Sequence, residues 1–397
     1  MTSDIYLQYE GNKYYSETIE GEKLFKLNDE VLKDSEGNLY NEKKFNEEIK
    51  TVVGNFVNKR FENIIILSGA GTSITDNGKK NLGKTMKDLA KEINKELKKE
   101  DSYFSIQEMA KKSNYHIKNI SDKKFNLEDF MSQVFKAKDF INSNDCKKYN
   151  DTINKIKDTI KYETSYIYDP KLLKHGILLN TLIEKITPPN KLTIATTNYD
   201  VMFEEAATEN SFIVMDGFTF SSKPRFDSDN FEWNLVKSVN NINTQEFEYK
   251  KKVINLLKIH GSITWEMDDL NDRIYRKDKD EVDNPVMIFP SSEKYSNSYD
   301  NPFFELLSKF QELLYRPNTL LVTTGFSFSD RHINKMIERA IVHNRQITTL
   351  ITDHDINKTS DEWHSLLNLM DSGYPMVFLK TNFNNLYEYF KSRGDNN

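Results

Sequence analysis

The 397-residue chain contains a single cysteine, Cys146. It can close no internal disulfide and cannot build a cysteine-rich zinc site, so a buried or inert thiol and no zinc are expected. No run of eighteen apolar residues occurs, which excludes a self-sufficient membrane span. The start, Met1-Thr2-Ser3-Asp4-Ile5, lacks the basic and apolar regions of a signal peptide, and a cytoplasmic location is the expectation. Basic excess is missing too: 55 Lys and Arg stand against 61 Asp and Glu, a net charge of −6. That argues against a dedicated nucleic-acid-binding surface, although a local patch such as Lys250-Lys251-Lys252 exists. Nucleic acid, if relevant, would be held indirectly, by a partner.

What is present is 37% hydrophobic residues and 29% charged, enough for a core under a very polar surface. In the first fifty residues Ile5, Leu7 and Tyr9 alternate with polar residues, and Glu-Gly pairs occur at 10–11, 20–21 and 36–37. Short strands joined by turns are expected there, a small β appendage over residues 1–55 that must pack on the main domain or on another subunit. From Phe61 the texture changes. Short apolar runs occur at Ile64–Leu67, Leu192–Ala195, Val253–Leu257, Leu320–Val322, Ile347–Ile351 and Pro375–Leu379. Continuous runs of this kind are what strands buried on both faces look like. Helix-like stretches such as Lys84–Lys99 and Phe303–Tyr315 lie between them. The alternation predicts an α/β fold, a Rossmann-like parallel sheet over residues 56–397. A Lys/Asn-rich stretch of helical spacing, about 101–185, reads as a helical insertion, and 216–252 as a long surface excursion without period.

Polar or glycine-rich segments come directly after the candidate strands: Ser68-Gly69-Ala70-Gly71-Thr72-Ser73, Asn198-Tyr199-Asp200, His260-Gly261-Ser262, Gly325-Phe326-Ser327-Phe328-Ser329-Asp330, and Asp353. In an open parallel sheet these ends share one edge, where ligands bind. Each segment has a plainer alternative. The glycine loop could be a tight turn and not a phosphate cradle opening a helix whose N-terminus favours anions. Asn198 could be a helix N-cap, and His260 a core histidine bonded to backbone. Joint occurrence in this order favours a binding site.

The blocks Gly69-Ala70-Gly71-Thr72-Ser73, Thr197-Asn198-Tyr199-Asp200, His260-Gly261 and Gly325–Asp330 resemble those of the SIR2 superfamily over roughly residues 60–385, and in particular its bacterial anti-phage branch of SIR2-like NAD hydrolases. The N-terminal β region looks most like the SIR2 subunit that works with a HerA-type hexameric ring ATPase. The resemblance implies NAD as substrate. Gly69, Ala70, Gly71 and Thr72 would hold its phosphates, with Thr197 beside them. Asn198 would hold a water or the nicotinamide ribose, and Asp200 would orient that neighbourhood or bind the nicotinamide side. His260 would be the general base, and Gly325 and Ser327 would contact the phosphate–ribose part. Asp353, placed by the strand-end rule, would bind an adenosine ribose. Deacylases of the superfamily carry a four-cysteine zinc module that Cys146 alone cannot supply, which favours hydrolysis. A homo-oligomer, no membrane partner and gating by the ATPase are the corresponding expectations.

Gly78-Lys79-Lys80-Asn81-Leu82-Gly83-Lys84-Thr85 also satisfies the P-loop pattern, but such a loop starts directly at a strand end and this one does not. The remaining alternatives are a P-loop NTPase and a catalytically silent NAD-binding scaffold, possibly nuclease-associated, in a DNA-translocase complex.

Overall fold

The computed structural model describes residues 3–75, 82–122, 124–240, 245–268, 270, 273–288 and 302–391. Four strands open the chain: β1 (Ser3–Tyr9), β2 (Asn12–Ile19), β3 (Glu22–Leu27) and β4 (Glu30–Val31). Helix α1 (Glu42–Val57) leads into strand β5 (Asn63–Ser68). A run of helices comes next: α2 (Met86–Leu97), α3 (Ile106–Lys112), α4 (Leu127–Ala137), α5 (Ser143–Thr164) and α6 (His175–Ile183). Then come β6 (Leu192–Thr196), α7 (Met202–Glu209), β7 (Ile213–Met215), β8 (Val236–Asn240), β9 (Gln245–Tyr249) and β10 (Val253–Lys258). Strands β11 (Gly261–Asp268), β12 (Arg273–Arg276) and β13 (Pro285–Met287) make a small separate sheet. The chain closes with α8 (Phe303–Leu314), β14 (Thr319–Thr324), α9 (Arg331–His343), β15 (Ile347–Asp353), α10 (Asp361–Asp371), β16 (Met376–Lys380) and α11 (Phe383–Leu386).

The main sheet has eleven strands in the order β4-β3-β2-β1-β16-β15-β14-β5-β6-β10-β7. From β16 to β7 every pairing is parallel. This is the Rossmann-like α/β fold. The apolar runs conceal a period of two: Ile64, Ile66, Leu320, Val322 and Leu350 bury on one face, while Ile65, Leu67, Leu321 and Ile351 bury on the other. Helices α1 to α7 cover the first face and α8 to α10 the second. A sheet sandwiched in this way needs no polar side, which is why its strands read as continuous hydrophobic runs.

The N-terminal strands extend this sheet. β1 pairs antiparallel with β16, Leu7 opposite Leu379. Turns at Glu10-Gly11 and Glu20-Gly21 have both residues in the left-handed region, the geometry that matches the twist of two-residue hairpins. The third hairpin turns at Asn28-Asp29, while Glu36-Gly37 lies beyond β4 in a loop tied by the Asp34 carboxylate. Helix α1 packs under the hairpins, Phe45 stacking on Phe25 at 4.3 Å, and it runs through the expected boundary near residue 55. The helical insertion begins earlier than expected, since α2 packs on α5. The excursion at 216–252 contains a regular element, the hairpin β8–β9, whose polar and apolar residues alternate too weakly to mark it. Among the described residues no helix is long and apolar enough to cross a membrane.

Leu7 is fully buried, and Leu39, just past β4, is 49% exposed. Leu7→Ala should therefore lower the unfolding free energy by about 2–5 kcal/mol, whereas Leu39→Ala should change it by less than about 0.5 kcal/mol. Urea denaturation measures both. Equal stabilities would mean that the hairpins are not part of the cooperative core.

Candidate active site

Five neighbouring strands end in one row. Thr352 of β15 is in register with Thr324 of β14, Thr324 with Ser68 of β5, Ser68 with Thr196 of β6, and Thr196 with Lys258 of β10. The next residues along are Asp353, Gly325, Gly69, Thr197 and Ile259, so all five segments singled out by sequence leave the same edge. After β5 the chain builds outward through β6 and β10, then returns to β14 on the other flank of β5. The switch point, where α/β sheets bind ligands, thus lies between the Gly69 and Gly325 loops.

Those two loops touch backbone to backbone. The Gly71 amide donates to the Gly325 carbonyl (3.0 Å) and the Gly69 amide to Thr324 (3.2 Å). A Cβ on Gly71 would lie 2.6 Å from the Gly325 Cα, and one on Gly69 would lie 2.6 Å from the Gly325 oxygen. Gly325 also has φ +58, and its Cβ would meet the Thr72 nitrogen at 2.5 Å. The glycines are therefore required for loop-to-loop contact. The expectation that the loop opens a helix needs correcting. The chain after Gly69 makes only a three-residue 3-10 turn, Ala70–Thr72, and α2 starts no earlier than Met86. The amides of Gly69, Gly71, Thr72 and Ser73 are spent on carbonyls, so among the described residues of this loop the Ala70 amide is the one left without a backbone acceptor.

Asn198 fastens the loop from β6. Its Nδ2 donates to the Gly69 carbonyl (3.0 Å), Thr72 Oγ1 (3.2 Å) and Ser73 Oγ (3.1 Å). Its amide oxygen bonds no described side chain, so it can accept from a ligand. The N-cap alternative fails, because α7 is entered through Val201 with no side-chain cap. Thr197 donates its amide to Ser68 (3.0 Å). The Asp200 carboxylate accepts from the Ser73 hydroxyl (2.6 Å) and the Met202 amide (3.2 Å). Burial pushes that carboxyl above its ordinary value, against the pull of Lys258 and Ser73. Lys258 is itself buried at the end of β10, donating to the carbonyls of Tyr199 and Asp200 and pairing with Glu204 at 2.9 Å.

His260 is 2% exposed, and its Nε2 lies 3.1 Å from Asp330 Oδ2. The partner is a carboxylate, so the alternative of a histidine bonded to backbone fails. Asp330 is also the N-cap of α9, accepting from the amides of His332 (2.8 Å) and Ile333 (3.2 Å). Burial works to raise its carboxyl, but His260 and the two amides outweigh this and hold it below its ordinary value. An ionised carboxylate only accepts, so Nε2 carries the hydrogen, and in the neutral imidazole the lone pair is on Nδ1. Nδ1 is buried and has no hydrogen-bond partner among the described residues. A histidine oriented by an acid with its other nitrogen open is equipped to take a proton.

The remaining expected residues are less available. Ser327 is exposed and bonds Ser329 (2.8 Å). The Asp353 carboxylate already engages Lys358, His354 and the Asp355 amide. Of the P-loop-like segment, residues 78–81 lie outside the described residues. Lys84 pairs with Glu163 (2.9 Å) and Glu92 (3.4 Å), and Thr85 caps α2. Among the described residues no group of three or more His, Cys, Asp or Glu is arranged to hold a metal.

Sequence reading alone gave no individual role to Lys258 or Asp330. Asp330 carries a local signal, an Asp just ahead of an amphipathic helix, and Lys258 is a charge inside an apolar run.

Residues 192–366 match the family described as SIR2-like domain. The match begins at the first residue of β6, spans Asn198, His260 and Gly325, and ends within α10. It supports the SIR2-like family and NAD-related activity within it. The glycine loop after β5 lies outside the match and joins it through the backbone contacts of Gly69 and Gly71 with the Gly325 loop. No curated protein matches the chain significantly.

Gly325→Ala should cost at least about 2 kcal/mol, from left-handed backbone strain plus the clash with Thr72. Thermal melting measures it, and an unchanged melting temperature would contradict the packing of the two loops.

Proposed function

We propose that the chain is an NAD glycohydrolase that cleaves the nicotinamide–ribose bond. The observation that carries this reading is the pairing, on one sheet edge, of an acid-oriented His260 with an Asn198 whose amide oxygen bonds no described residue. Both lie in the stretch that matches the SIR2-like domain.

In the hydrolysis the carbon–nitrogen bond breaks and its electron pair leaves with nicotinamide. The ribose becomes oxocarbenium-like, water adds its oxygen to the same carbon, and the water's proton passes to His260 Nδ1. The Asn198 amide oxygen would hold that water or a ribose hydroxyl. An amide suits this task because it does not compete for the proton. Asp330 holds the imidazole in the required tautomer. The Gly69–Thr72 and Gly325–Ser327 loops would take the phosphate–ribose part, the Ala70 amide being the donor the loop has to spare. Asp200 would shape the nicotinamide side through Ser73, with Thr197 beside it. Asp353 would meet an adenosine ribose with the acceptor capacity that Lys358, His354 and the Asp355 amide leave it.

Unrestrained NAD loss would harm the host cell. Gating by assembly is therefore part of the proposal: a homo-oligomer bound to a HerA-type hexameric ATPase, acting in anti-phage defence and meeting nucleic acid only through that partner. A catalytically silent scaffold would have no use for an acid-oriented histidine. The P-loop alternative is disfavoured by the ion pairs that occupy Lys84.

Nicotinamide release from NAD, assayed with and without the ring ATPase, tests the reading. His260→Ala and Asn198→Ala should each reduce turnover by about 10²–10⁴-fold. Asp330→Asn should also reduce it, by allowing the wrong tautomer, while Lys84→Ala should leave it unchanged. Turnover within a few-fold of wild type in the first two variants would refute the assignment. ATP turnover abolished by Lys84→Ala would instead support the NTPase.

A further inference from the structure

The edge of the sheet opposite the glycine loops holds a small polar cavity of about 140 Å³, where β5, β6 and β10 begin. Asn63 opens β5, Lys191 immediately precedes β6, and Asn255 lies near the start of β10. Lys309 of α8 and Arg316, just past that helix, close the space from the second face of the sheet. Glu232 reaches it from the excursion after β7. The length of β5 separates the cavity from the Gly69 loop, about 20 Å at the rise of a strand.

The cavity gathers charge of one sign: Lys191, Lys309 and Arg316 line it, against one carboxylate, Glu232. Hydrogen bonds fix the cations in place. The Lys191 ammonium donates to the carbonyls of Phe231 (2.6 Å) and Trp233 (2.7 Å), on either side of Glu232. Lys309 is nearly buried and pairs with Glu232 and with Glu312 (2.8 Å). Arg316 donates to the same Glu312 through Nε (3.2 Å) and Nη2 (2.6 Å). Three cations thus meet two carboxylates, and each cation has N–H groups beyond those these bonds use, a third on each ammonium and those of Nη1 on the guanidinium. Asn255 is buried in an otherwise apolar strand, and its Oδ1 has no partner among the described residues. Burial pushes the Lys191 ammonium down to about 8, with Lys309 and Arg316 pushing the same way against the pull of Glu232. Like charges brought together out of water are costly unless an anion offsets them. Glu232 supplies that anion from a side chain that is 57% exposed, so it can swing away into solvent.

We propose that this cavity binds a small oxyanion of the phosphate class, held by Lys191, Lys309 and Arg316 with the Asn255 amide, and that Glu232 stands in for the anion at Lys309 until it arrives. The site is distinct from the NAD-cleaving one and does not rest on that reading. Size sets the ligand class. Pockets that enclose drug-sized ligands measure about 300–1,000 Å³, so this one admits an ion and no nucleotide, and a phosphate monoester would place only its phosphate inside. A tetrahedral oxyanion offers acceptors in several directions at once, which suits two ammonium groups and a guanidinium fork converging from different elements.

Thermal melting and calorimetric titration of the full chain with inorganic phosphate, against sodium chloride at the same ionic strength, test the site. Phosphate should raise the melting temperature saturably beyond the chloride control. Arg316→Gln should weaken phosphate binding by about 10-fold or more, the worth of a hydrogen bond between charged groups. Glu232→Gln removes the competing carboxylate and should tighten binding by about 2- to 5-fold. Stabilisation by ribose 5-phosphate as well would identify a monoester end as an accepted source, and stabilisation by phosphate alone the free ion. Equal melting in phosphate and chloride would overturn the proposal. So would a phosphate effect that Arg316→Gln leaves unchanged, or one that NAD abolishes, because the ion would then sit at the glycine loops. Should Arg316→Gln fail to fold, Glu232→Gln decides alone, and an affinity that is unchanged or weaker refutes the site. Nicotinamide release is not among these readouts, so failure of the NAD-cleaving reading would leave this inference standing.

Discussion

The close approach of the β5 and β14 loops is the constraint on which the site depends. Gly69, Gly71 and Gly325 meet with no room for a Cβ, and the contact lies at the switch point of the sheet. Because the loops are locked together by backbone bonds, the Gly69 carbonyl and the Thr72 and Ser73 hydroxyls become fixed acceptors for Asn198. Ser73 in turn fixes Asp200. On the other side, the Gly325 loop delivers Asp330 to the start of α9, and Asp330 fixes His260. The two polar residues argued to do the chemistry are thus held from opposite sides of one glycine junction.

Charge around the junction is divided by environment. Asp330 sits at a helix N-terminus beside an imidazole, and its carboxyl is held below its ordinary value despite burial. Asp200 and Glu204 are raised because desolvation outweighs their partners. Carboxyls pushed in opposite directions within one cleft separate acceptor-only groups from groups that can carry a proton, which acid–base chemistry requires. Lys258, buried among the carbonyls of Tyr199 and Asp200, keeps the raised pair from being uncompensated charge.

The N-terminal strands serve a different need. A parallel sheet ending at β16 would expose an unpaired edge beside a buried core. β1 covers that edge in antiparallel register, and the hairpins move the free edge out to the two-residue β4. Any role of this region in assembly would use the polar outer face, because the inner one is occupied by α1.

The parallel sheet, its apolar strands and the polar segments at their ends were legible in the sequence, because burial on both faces and turn chemistry are written in local residue types. So were Asn198 and His260, each just past a run that could only be a strand. The sequence did not reveal that the glycines serve loop-to-loop contact and not the start of a helix, since the same residue type meets both needs. Nor could it reveal the partner of His260 seventy residues on, or the occupation of Asp353 by Lys358. Those depend on which elements the sheet order brings together. Local patterning determined the strands and where they end. The tertiary structure alone decided which side chains share a buried space, because only packing removes water and leaves Nδ1 of His260 buried with no partner among the described residues.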